Sequence, residues 1–367
     1  MPAVVPSMMM PPALVWFAGV LVAFIAAAML TSRLVGILLR AGVIDASTVA
    51  GRPRPVPRGG GLAIIAVVVG AALVATIRDA ATAGRAMAAL MPAMLVAAVS
   101  WRDDISPLPA RLRLAVHLLA AIVAVAILGP AERVDLGTIG SLDIGAWGWP
   151  LSVLWIVGMT NAFNFMDGID GIAGIVVMAV GAAVAVAAAV LDAPAVATLA
   201  AAVAAGAGGF LTVNWPPARI FMGDVGSTFC GFLLGALTLA VDGDSVPRML
   251  PVTVVSSWPF LFDTIATVLG RLVRGHDLLR PHRGHCYQRL VAGGWSHRAT
   301  ASLYGGLAAF AGAIVVAPLY DPTVLDAATA LAIATPLVGG TLIAVLVGIA
   351  ARRPVRQAAG SAPAADR

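Results

Sequence analysis

Lysine is absent from this sequence, so all 23 of its basic residues are arginine. Charged residues make up 11% of the chain, less than half of the roughly 25% found in soluble domains. That shortage excludes a disordered chain, a collagen-like chain and an ordinary cytosolic enzyme. Only two cysteines are present, Cys230 and Cys286, and so few exclude a disulfide framework.

What the sequence has in abundance is apolar surface, since 60% of its residues are hydrophobic. Only lipid can solvate so much of it, which predicts an all-α polytopic integral membrane protein. A bilayer core of about 30 Å needs roughly 20 apolar residues per helix. Ten crossings are the alternative to eleven, because several of the candidate segments are short. The eleven segments are 13–39, 60–77, 86–100, 112–129, 149–163, 171–190, 195–213, 228–241, 249–269, 300–319 and 323–350.

The arginines predict an orientation for these segments. With the N-terminus outside, 19 of the 23 arginines fall in inside segments, and four remain outside: Arg78, Arg85, Arg133 and Arg248. An excess of this kind marks the cytoplasmic side. Because the arginines follow the membrane topology, the net charge of +5 does not indicate a nucleic-acid partner. We expect one membrane domain over residues 1–351 and a disordered cytoplasmic tail over 352–367.

On this topology acids, histidines and arginines converge on the inside loops, as an active site for an anionic, metal-bound substrate requires. The first such group is the adjacent pair Asp103 and Asp104, after the third segment. Neighbouring side chains on a helix point about 100° apart, so the pair cannot chelate one ion symmetrically. It can offer one metal ligand and one base or hydrogen-bond acceptor. A solvated pair beside Arg102 is the alternative.

Four polar residues recur at every third position between the fifth and sixth segments: Asn161, Asn164, Asp167 and Asp170. An α-helix would fan them over half of its circumference, whereas a 3₁₀ turn or a break at Gly168 would bring them together. Such groups at the end of a membrane span are costly unless they bind something. Carboxylate and amide oxygens suit Mg²⁺. An ordinary capped turn would account for Asp170 alone.

The inside loop between the seventh and eighth segments begins at Asn214 and ends in a glycine-rich turn around Asp224. Its glycines allow a ligand to approach the backbone closely. Ser227 begins the eighth segment, where free helical N–H groups can hold phosphate. Asp224 would then be a metal ligand between the phosphate and the protein.

The inside loop between the ninth and tenth segments carries His282, Arg283 and His285 among further arginines. Two histidines three positions apart can bind Zn²⁺ or an anion. Since the neighbouring arginines repel a cation, the pattern favours a phosphate grip. Incidental histidines in an arginine-rich cytoplasmic loop are the alternative.

Taken in order, these residues resemble the polyprenyl-phosphate N-acetylhexosamine-1-phosphate transferases, which include enzymes that initiate peptidoglycan, enterobacterial-common-antigen and O-antigen synthesis. The resemblance runs from about residue 45 to residue 290. The matching elements are Pro55-x-Pro57-Arg58-Gly59-Gly60-Gly61, Asp103-Asp104 with Leu108 and Arg111-Leu112, Asn161-x-x-Asn164-Phe165-Met166-Asp167-Gly168-Ile169-Asp170-Gly171, the stretch Asn214 to Ser227, and His282-Arg283-x-His285-x-Tyr287-Gln288-Arg289-Leu290.

Three positions depart from the family pattern. Arg52 stands where the family usually has histidine or lysine, which keeps a charge and loses titratability. The order His282-Arg283-Gly284-His285 differs from the triple histidine of the peptidoglycan enzymes and favours the O-antigen or capsule branch. Cys286 replaces an expected leucine, and we interpret it as inert.

The resemblance implies transfer of a sugar 1-phosphate from a UDP-N-acetylhexosamine to undecaprenyl or another polyprenyl phosphate, with release of UMP, in the bacterial inner membrane. It implies Mg²⁺, with Mn²⁺ as the alternative, held by Asp224 and Asp104. Asp103 would act as a base or contact the lipid phosphate, and either direct attack or a covalent intermediate is open. The implied catalytic residues are Asp103, Asp104, Asp167, Asp170, His282 and His285. The implied substrate contacts are Arg58, Asn161, Asn164, Asn214, Arg283 and Ser227.

Two other classes are alternatives at the level of the residues. A Mg²⁺-dependent intramembrane prenyltransferase would carry two related Asn-Asp-x-x-Asp-like motifs, and the sequence has one. A transporter would place ionisable groups near the bilayer midplane and show inverted repeats, whereas here they gather at one interface. The Ala- and Gly-rich segments permit close helix packing within or between chains, which leaves a homodimer open.

Overall fold

The computed structural model describes residues 12–45, 55–277 and 283–351. The expected tail over 352–367, Arg52 and His282 lie outside these ranges. Within them the chain forms thirteen α-helices and one short hairpin. The helices are α1 (Pro12–Arg40), α2 (Gly61–Arg78), α3 (Ala80–Ile105), α4 (Ala110–Leu128), α5 (Gly148–Phe165), α6 (Ile172–Val190), α7 (Pro194–Asn214), α8 (Asp224–Leu237), α9 (Val246–Ser256), α10 (Trp258–Val273), α11 (Cys286–Ala292), α12 (His297–Tyr320) and α13 (Leu325–Ala351).

Eight helices in the described ranges are long and apolar enough to cross a membrane, namely α1, α2, α3, α4, α6, α7, α12 and α13. A ninth crossing results if α9 and α10, which meet at a 70° bend, count as one. The predicted multi-pass helical membrane protein is therefore confirmed. Two of the eleven predicted segments, α5 and α8, do not reach this standard. Helix α8 has only 14 residues, and α5 carries two asparagines near its end.

The hairpin interrupts the helical pattern between α4 and α5. Strand β1 (Arg133–Asp135) pairs antiparallel with β2 (Ser141–Asp143), and Val134 lies opposite Leu142. It packs against α9, and the turn between its strands packs against α13. Six residues of strand leave the helical fold class unchanged.

Local capping chemistry sets several helix boundaries. Asp79 precedes α3, and its carboxylate accepts the N–H groups of Ala81 at 3.0 Å and Thr82 at 3.4 Å. Ser296 caps α12 in the same way, accepting from Ala299 at 3.1 Å. Short polar side chains are preferred at these positions because they satisfy N–H groups that lack a partner within the helix.

Helix α8 lies at the centre of the packing, between α3 and α5. Every residue from Val225 to Leu237 is buried. A Cβ atom on Gly231 would come within 2.5 Å of the Met159 carbonyl oxygen on α5, so glycine is needed for this close approach. At the far end of α8 from Asp224, Arg85 donates to the carbonyl oxygens of Leu239 at 2.9 Å and Ala240 at 3.2 Å.

Arg85 also joins α8 to its neighbour α4, because it donates to the Leu128 carbonyl oxygen at 2.9 Å. The C-terminal ends of α4 and α8 carry carbonyl groups with no partner inside the helix, and they attract a cation. One side chain from α3 thus satisfies both ends.

The short helix α11 is covered by the end of the last helix, α13. A Cβ atom on Gly293, directly after α11, would collide with the Ala350 side chain. The C-terminal end of α13 therefore packs directly against the helix that follows residues 283–285, the described part of the histidine loop.

Candidate active site

The site is built where the segment before α2 runs beside the segment before α8. Backbone N–H groups of Gly59 and Gly60 donate to the Phe221 carbonyl oxygen, at 3.1 and 2.8 Å. Phe221 N–H donates in turn to the Pro57 carbonyl oxygen at 2.9 Å. A Cβ atom on Gly61 would overlap the backbone of Gly226. The run of glycines in the first segment thus lets two loops from distant parts of the chain lie side by side.

This pairing brings Arg58 to the acids. Its Nε atom lies 3.2 Å from Asp104 Oδ1, and its Nη2 atom lies 3.6 Å from Asp224 Oδ1. Burial opposes the charge of the Arg58 guanidinium, but Asp104 and Asp224 outweigh that effect and raise its pKa. Arg58 therefore stays charged and links a residue at the end of α3 to the first residue of α8.

Asp104 occupies the start of α8. Its carboxylate accepts the N–H groups of Asp224 at 3.0 Å and Val225 at 2.9 Å, and its side chain is fully enclosed. Both of its oxygens thus accept backbone N–H groups at the start of α8, and its metal role stays a prediction.

The N–H groups at the start of α8, where the sequence predicted a phosphate site, have acceptors within the protein. Besides the two N–H groups taken by Asp104, those of Gly226 and Ser227 both donate to the Gly223 carbonyl oxygen at 3.1 Å. No N–H group from 224 to 227 is left open for phosphate, because the protein supplies its own acceptors. The Ser227 hydroxyl also donates to that carbonyl, at 3.2 Å.

Arg113, in the first turn of α4, was missed as a site residue. Its Nη1 atom lies 2.6 Å from Asp103 Oδ2 and 2.9 Å from Asp224 Oδ2. Asp103 is held further by the Leu108 N–H group at 2.5 Å. The adjacent acids Asp103 and Asp104 face different partners, as expected for neighbours on a helix. The sequence contained one indication that Arg113 belongs to the site. Only a short loop separates the helix that carries the acid pair from the helix that carries Arg113.

The four polar residues with a spacing of three do not converge. Asn161 lies within α5 and donates to the Val157 carbonyl oxygen of its own helix at 2.7 Å. Asn164 reaches α8, where it donates to the Ser227 hydroxyl at 3.1 Å. The helix ends at Phe165, so Asp167 and Asp170 lie in the turn beyond it, and the four residues have different partners.

Asp167 lies in the turn after α5, within the electrostatic field of the acid–arginine cluster. This cluster consists of Arg58, Asp103, Asp104, Arg113 and Asp224. Desolvation of its carboxyl group raises the pKa of Asp167 well above the ordinary value, and the nearby charge of Asp224 adds to this effect. Arg58 acts in the opposite direction but does not outweigh them. Burial therefore favours the protonated form of Asp167. A cation bound beside it would favour the ionised form instead.

Asp170 and Asn214 join loops rather than face the cluster. Asp170 Oδ2 accepts the Ala218 N–H group at 3.1 Å and lies 3.4 Å from His297 Nδ1 at the start of α12. Asn214 accepts the Gly171 N–H group at 2.9 Å and donates to the Ile220 carbonyl oxygen at 2.7 Å. These contacts hold three inside loops in a fixed relation.

The histidine loop reaches this face through α11. His285 is 3% exposed, and its Nδ1 atom lies 3.2 Å from Asp263 Oδ1 on α10. Tyr287 donates to the Phe165 carbonyl oxygen at 3.1 Å, which seats α11 against the end of α5. Arg283 is exposed in the turn before α11.

The donors of the cluster fit a hard divalent cation. Mg²⁺ binds through one or two carboxylates and completes its shell with water and substrate phosphates. Asp224 fits this role best, since its side chain keeps 21% exposure, with Asp103 and Asp167 nearby. Among the described residues no group of three His, Cys, Asp or Glu side chains is preassembled as a metal cage, so the phosphates of a substrate would have to complete the shell.

Fold and site together define a multi-pass membrane enzyme with acids and arginines gathered at one set of helix ends. The model of the family described as glycosyl transferase family 4 matches residues 86–242. The chain is 33% identical over 253 residues to a probable undecaprenyl-phosphate N-acetylglucosaminyl 1-phosphate transferase of Bacillus subtilis (strain 168), covering 66% of this chain and 67% of that protein.

A decaprenyl-phosphate N-acetylglucosaminephosphotransferase of Mycolicibacterium smegmatis is 31% identical over 302 residues, 73% of either chain. A phospho-N-acetylmuramoyl-pentapeptide-transferase of Synechococcus elongatus is 37% identical over 175 residues, 45% of this chain and 46% of that protein. This chain belongs to glycosyl transferase family 4. The resemblance drawn from the sequence motifs is therefore confirmed.

Proposed function

We propose that this protein transfers a sugar 1-phosphate of the N-acetylhexosamine type from a UDP-sugar to a polyprenyl phosphate, releasing UMP. The observation that carries the proposal is the bridge from Arg58 and Arg113 to Asp224 at the ends of membrane helices. Both substrates are anionic, so their approach requires fixed cations. The relatives named above act on undecaprenyl and decaprenyl phosphates, and undecaprenyl phosphate is the acceptor we propose.

The acids and arginines divide the work of this transfer. Arg58 and Arg113 would draw the phosphates to the cluster and cancel their repulsion. A bound Mg²⁺, or Mn²⁺, would polarise the diphosphate and stabilise the leaving UMP, and Asp224 would hold it. A phosphate monoester has a second pKa near 6, so the lipid phosphate is mostly dianionic at pH 7. Asp103 therefore needs only to orient that phosphate or accept its last proton.

The remaining predicted residues would shape the pocket around these groups. Asn164 and Asp167 lie beside the cluster, and Asp170 and Asn214 hold the loops that surround it. His285 and Arg283 would contact the diphosphate or the sugar, together with His282. Because the described members of this set lie at one set of helix ends, a sugar nucleotide from the cytoplasm and a lipid phosphate from the bilayer could meet there.

The membrane arrangement that supports this reaction has eleven crossings, with the N-terminus outside and the site on the cytoplasmic face of a bacterial inner membrane. The arginine bias supports the orientation. Helices α5 and α8 would complete the count. Neighbouring helices bury α8 along its length, whereas α5 keeps Leu154 exposed. The O-antigen or capsule branch and a homodimer stay predictions.

The test is UMP release by the purified protein in detergent with Mg²⁺, undecaprenyl phosphate and a panel of UDP-N-acetyl sugars. We expect release that depends on the lipid and on one sugar. Asp224→Asn should abolish this release, and Asp79→Asn is its matched control. Asp79 caps a helix at the opposite end of α3, roughly 35 Å from Asp103 at 1.5 Å per residue. Folded protein that neither releases UMP nor binds any UDP-sugar would rule the proposal out.

A further inference from the structure

One carboxylate outside the acid–arginine cluster is also fully buried. Asp263 has 0% exposure and lies in α10, just beyond the bend from α9. Its Oδ1 atom accepts the Cys286 N–H group at 2.8 Å, and its Oδ2 atom accepts the Tyr287 N–H group at 3.0 Å. A buried carboxylate is costly unless it is hydrogen-bonded. The two contacts therefore tie the start of α11 firmly to α10.

Three side chains complete the shell of Asp263. Tyr304 on α12 donates to Oδ2 at 2.7 Å, and Thr267 donates to Oδ1 at 3.2 Å. The third is His285, whose Nδ1 atom lies 3.2 Å from Oδ1. With Nδ1 turned to the carboxylate, the opposite ring edge, which carries Nε2, is turned away from it. One carboxylate thus sets both the position and the rotation of the imidazole.

The ring is placed close to the predicted pocket by a second set of contacts. The centroid of the His285 ring lies 6.1 Å from that of Phe165, at the end of α5, and 5.9 Å from that of Tyr287. Tyr287 also donates to the Phe165 carbonyl oxygen. A Cβ atom on Gly168 would collide with the Tyr287 hydroxyl. Helix α11 is therefore fitted directly against the turn that carries Asp167.

We propose that Asp263 is a positioning residue for the transfer reaction, which holds His285 and the start of α11 where the sugar phosphate is bound. The proposal rests on the proposed function for its kinetic consequence. Asparagine in place of Asp263 has one acceptor oxygen for two N–H groups and carries no charge. Asp263→Asn should therefore release the histidine loop without removing any group that touches the substrate.

The test is a double-mutant cycle on the kcat and KM of UMP release with Asp263→Asn, His285→Ala and both together. We expect each single change to lower kcat by at least about 30-fold. We expect the double variant to fall within about threefold of His285→Ala, because a residue that acts through His285 has nothing left to position. A role in folding alone would instead make the two losses multiply.

A milder variant covers the case in which Asp263→Asn does not fold. Tyr304→Phe removes one hydrogen bond to the same carboxylate and keeps the ring. It should lower kcat by about 3- to 10-fold and lose that effect in the His285→Ala background. The matched control is Asp79→Asn, which also removes a carboxylate that accepts backbone N–H groups and should leave kcat within about twofold.

A readout that needs no catalysis separates this proposal from the proposed function. In a Cys230→Ser background, alkylation of Cys286 reports on the anchoring of α11, because its N–H group is bound by Asp263. Asp263→Asn should raise the alkylation rate by at least about tenfold. Because the Asp263 charge also raises the pKa of this thiol, Tyr304→Phe, which keeps that charge and removes one contact of the anchor, should raise the rate as well. If wild-type protein releases no UMP, the proposed function fails while this comparison still reports on the anchor. Unchanged alkylation in Asp263→Asn, or losses of kcat that multiply in the cycle, would overturn the role of Asp263.

Discussion

Arg113 lies 2.9 Å from the carboxylate of Asp224, a residue 111 positions later in the chain. The contact joins the first turn of α4 to the first residue of α8, and the same Arg113 nitrogen holds Asp103. An arginine that binds two acids at once fixes their separation. That fixed separation is the property on which the first prediction depends.

Replacement of Arg113 by alanine should lower the kcat of UMP release by about 100-fold. Loss of one fixed donor at a site of charge development typically costs that much. Lysine at this position should restore only part of the loss, because its side chain is one bond shorter and its ammonium group is more strongly hydrated than a guanidinium. Arg78→Ala, an exposed arginine at the opposite end of α2, is the control and should keep wild-type turnover. Equal kcat in the two alanine variants would contradict the assignment of Arg113.

Metal removal should stop the reaction. We expect a chelator to abolish UMP release by the wild-type protein and Mg²⁺ to restore it, since the cluster carries oxygen donors suited to that ion. Asp224→Asn should stay inactive at saturating Mg²⁺ although it remains folded, as checked by thermal denaturation. Near-normal turnover in that variant would remove Asp224 from the metal role.

Gly223 should not tolerate alanine. Its φ of +79° lies in the left-handed region that favours glycine, and a Cβ atom would lie 2.7 Å from Asp104 Oδ2. We expect Gly223→Ala to destabilise the protein by about 1–3 kcal/mol and to lower turnover, because it displaces the carboxylate that caps α8.

The control for this change is Gly243→Ala, in the turn before α9. A Cβ atom there meets nothing within 4 Å. Thermal unfolding and UMP release should both match the wild type. A Gly223→Ala protein as stable as this control would show that the turn can relax around the added carbon.

Cys286 should resist alkylation in the folded protein. Burial, reinforced by Asp263, raises the pKa of its thiol to about 12, so at pH 8 roughly one molecule in 10⁴ carries the reactive thiolate. Below pH 12, the rate of reaction with iodoacetamide should increase about tenfold each time the pH is raised by one unit. Denatured protein should react quickly. Rapid labelling of one thiol per native chain at pH 8, absent from Cys286→Ser, would contradict this prediction.

Arg85 should matter for stability and not for substrate binding. Its three donations to carbonyl oxygens lie at the ends of α4 and α8 away from the cluster. We expect Arg85→Ala to destabilise the protein by about 1–3 kcal/mol, seen as a lower melting temperature in detergent. The KM values for both substrates should be unchanged, and a selective rise in either one would contradict this separation.

The lengths of the apolar runs were sufficient to predict most of the helices, because a membrane span demands a long apolar stretch. They could not reveal the break between α9 and α10. Averaging over the run 249–269 conceals Pro259, which lacks an N–H group and stands in the first turn after the bend. The hairpin at 133–143 was also missed, since three residues per strand give too short a pattern to detect.

Local motifs located the acids but not their partners. The carboxylate of Asp104 binds the N–H group of Asp224 across 120 residues, and no local pattern reports which acceptor reaches a helix start. For the same reason the expectation of open N–H groups at Ser227 failed. Arg113 was hidden among many arginines that the cytoplasmic bias alone would explain. Asp263 was visible only as a charge near the end of an apolar run.

The close packing of Ala350 on Gly293 has a consequence for inhibition. The contact lies behind α11 and touches neither the acid–arginine cluster nor the groups proposed to bind substrate. A hydrophobic compound inserted between α11 and α13 would shift the histidine loop without occupying the place of either substrate. Turnover would then fall even at saturating concentrations of both substrates, which is the kinetic signature of noncompetitive inhibition.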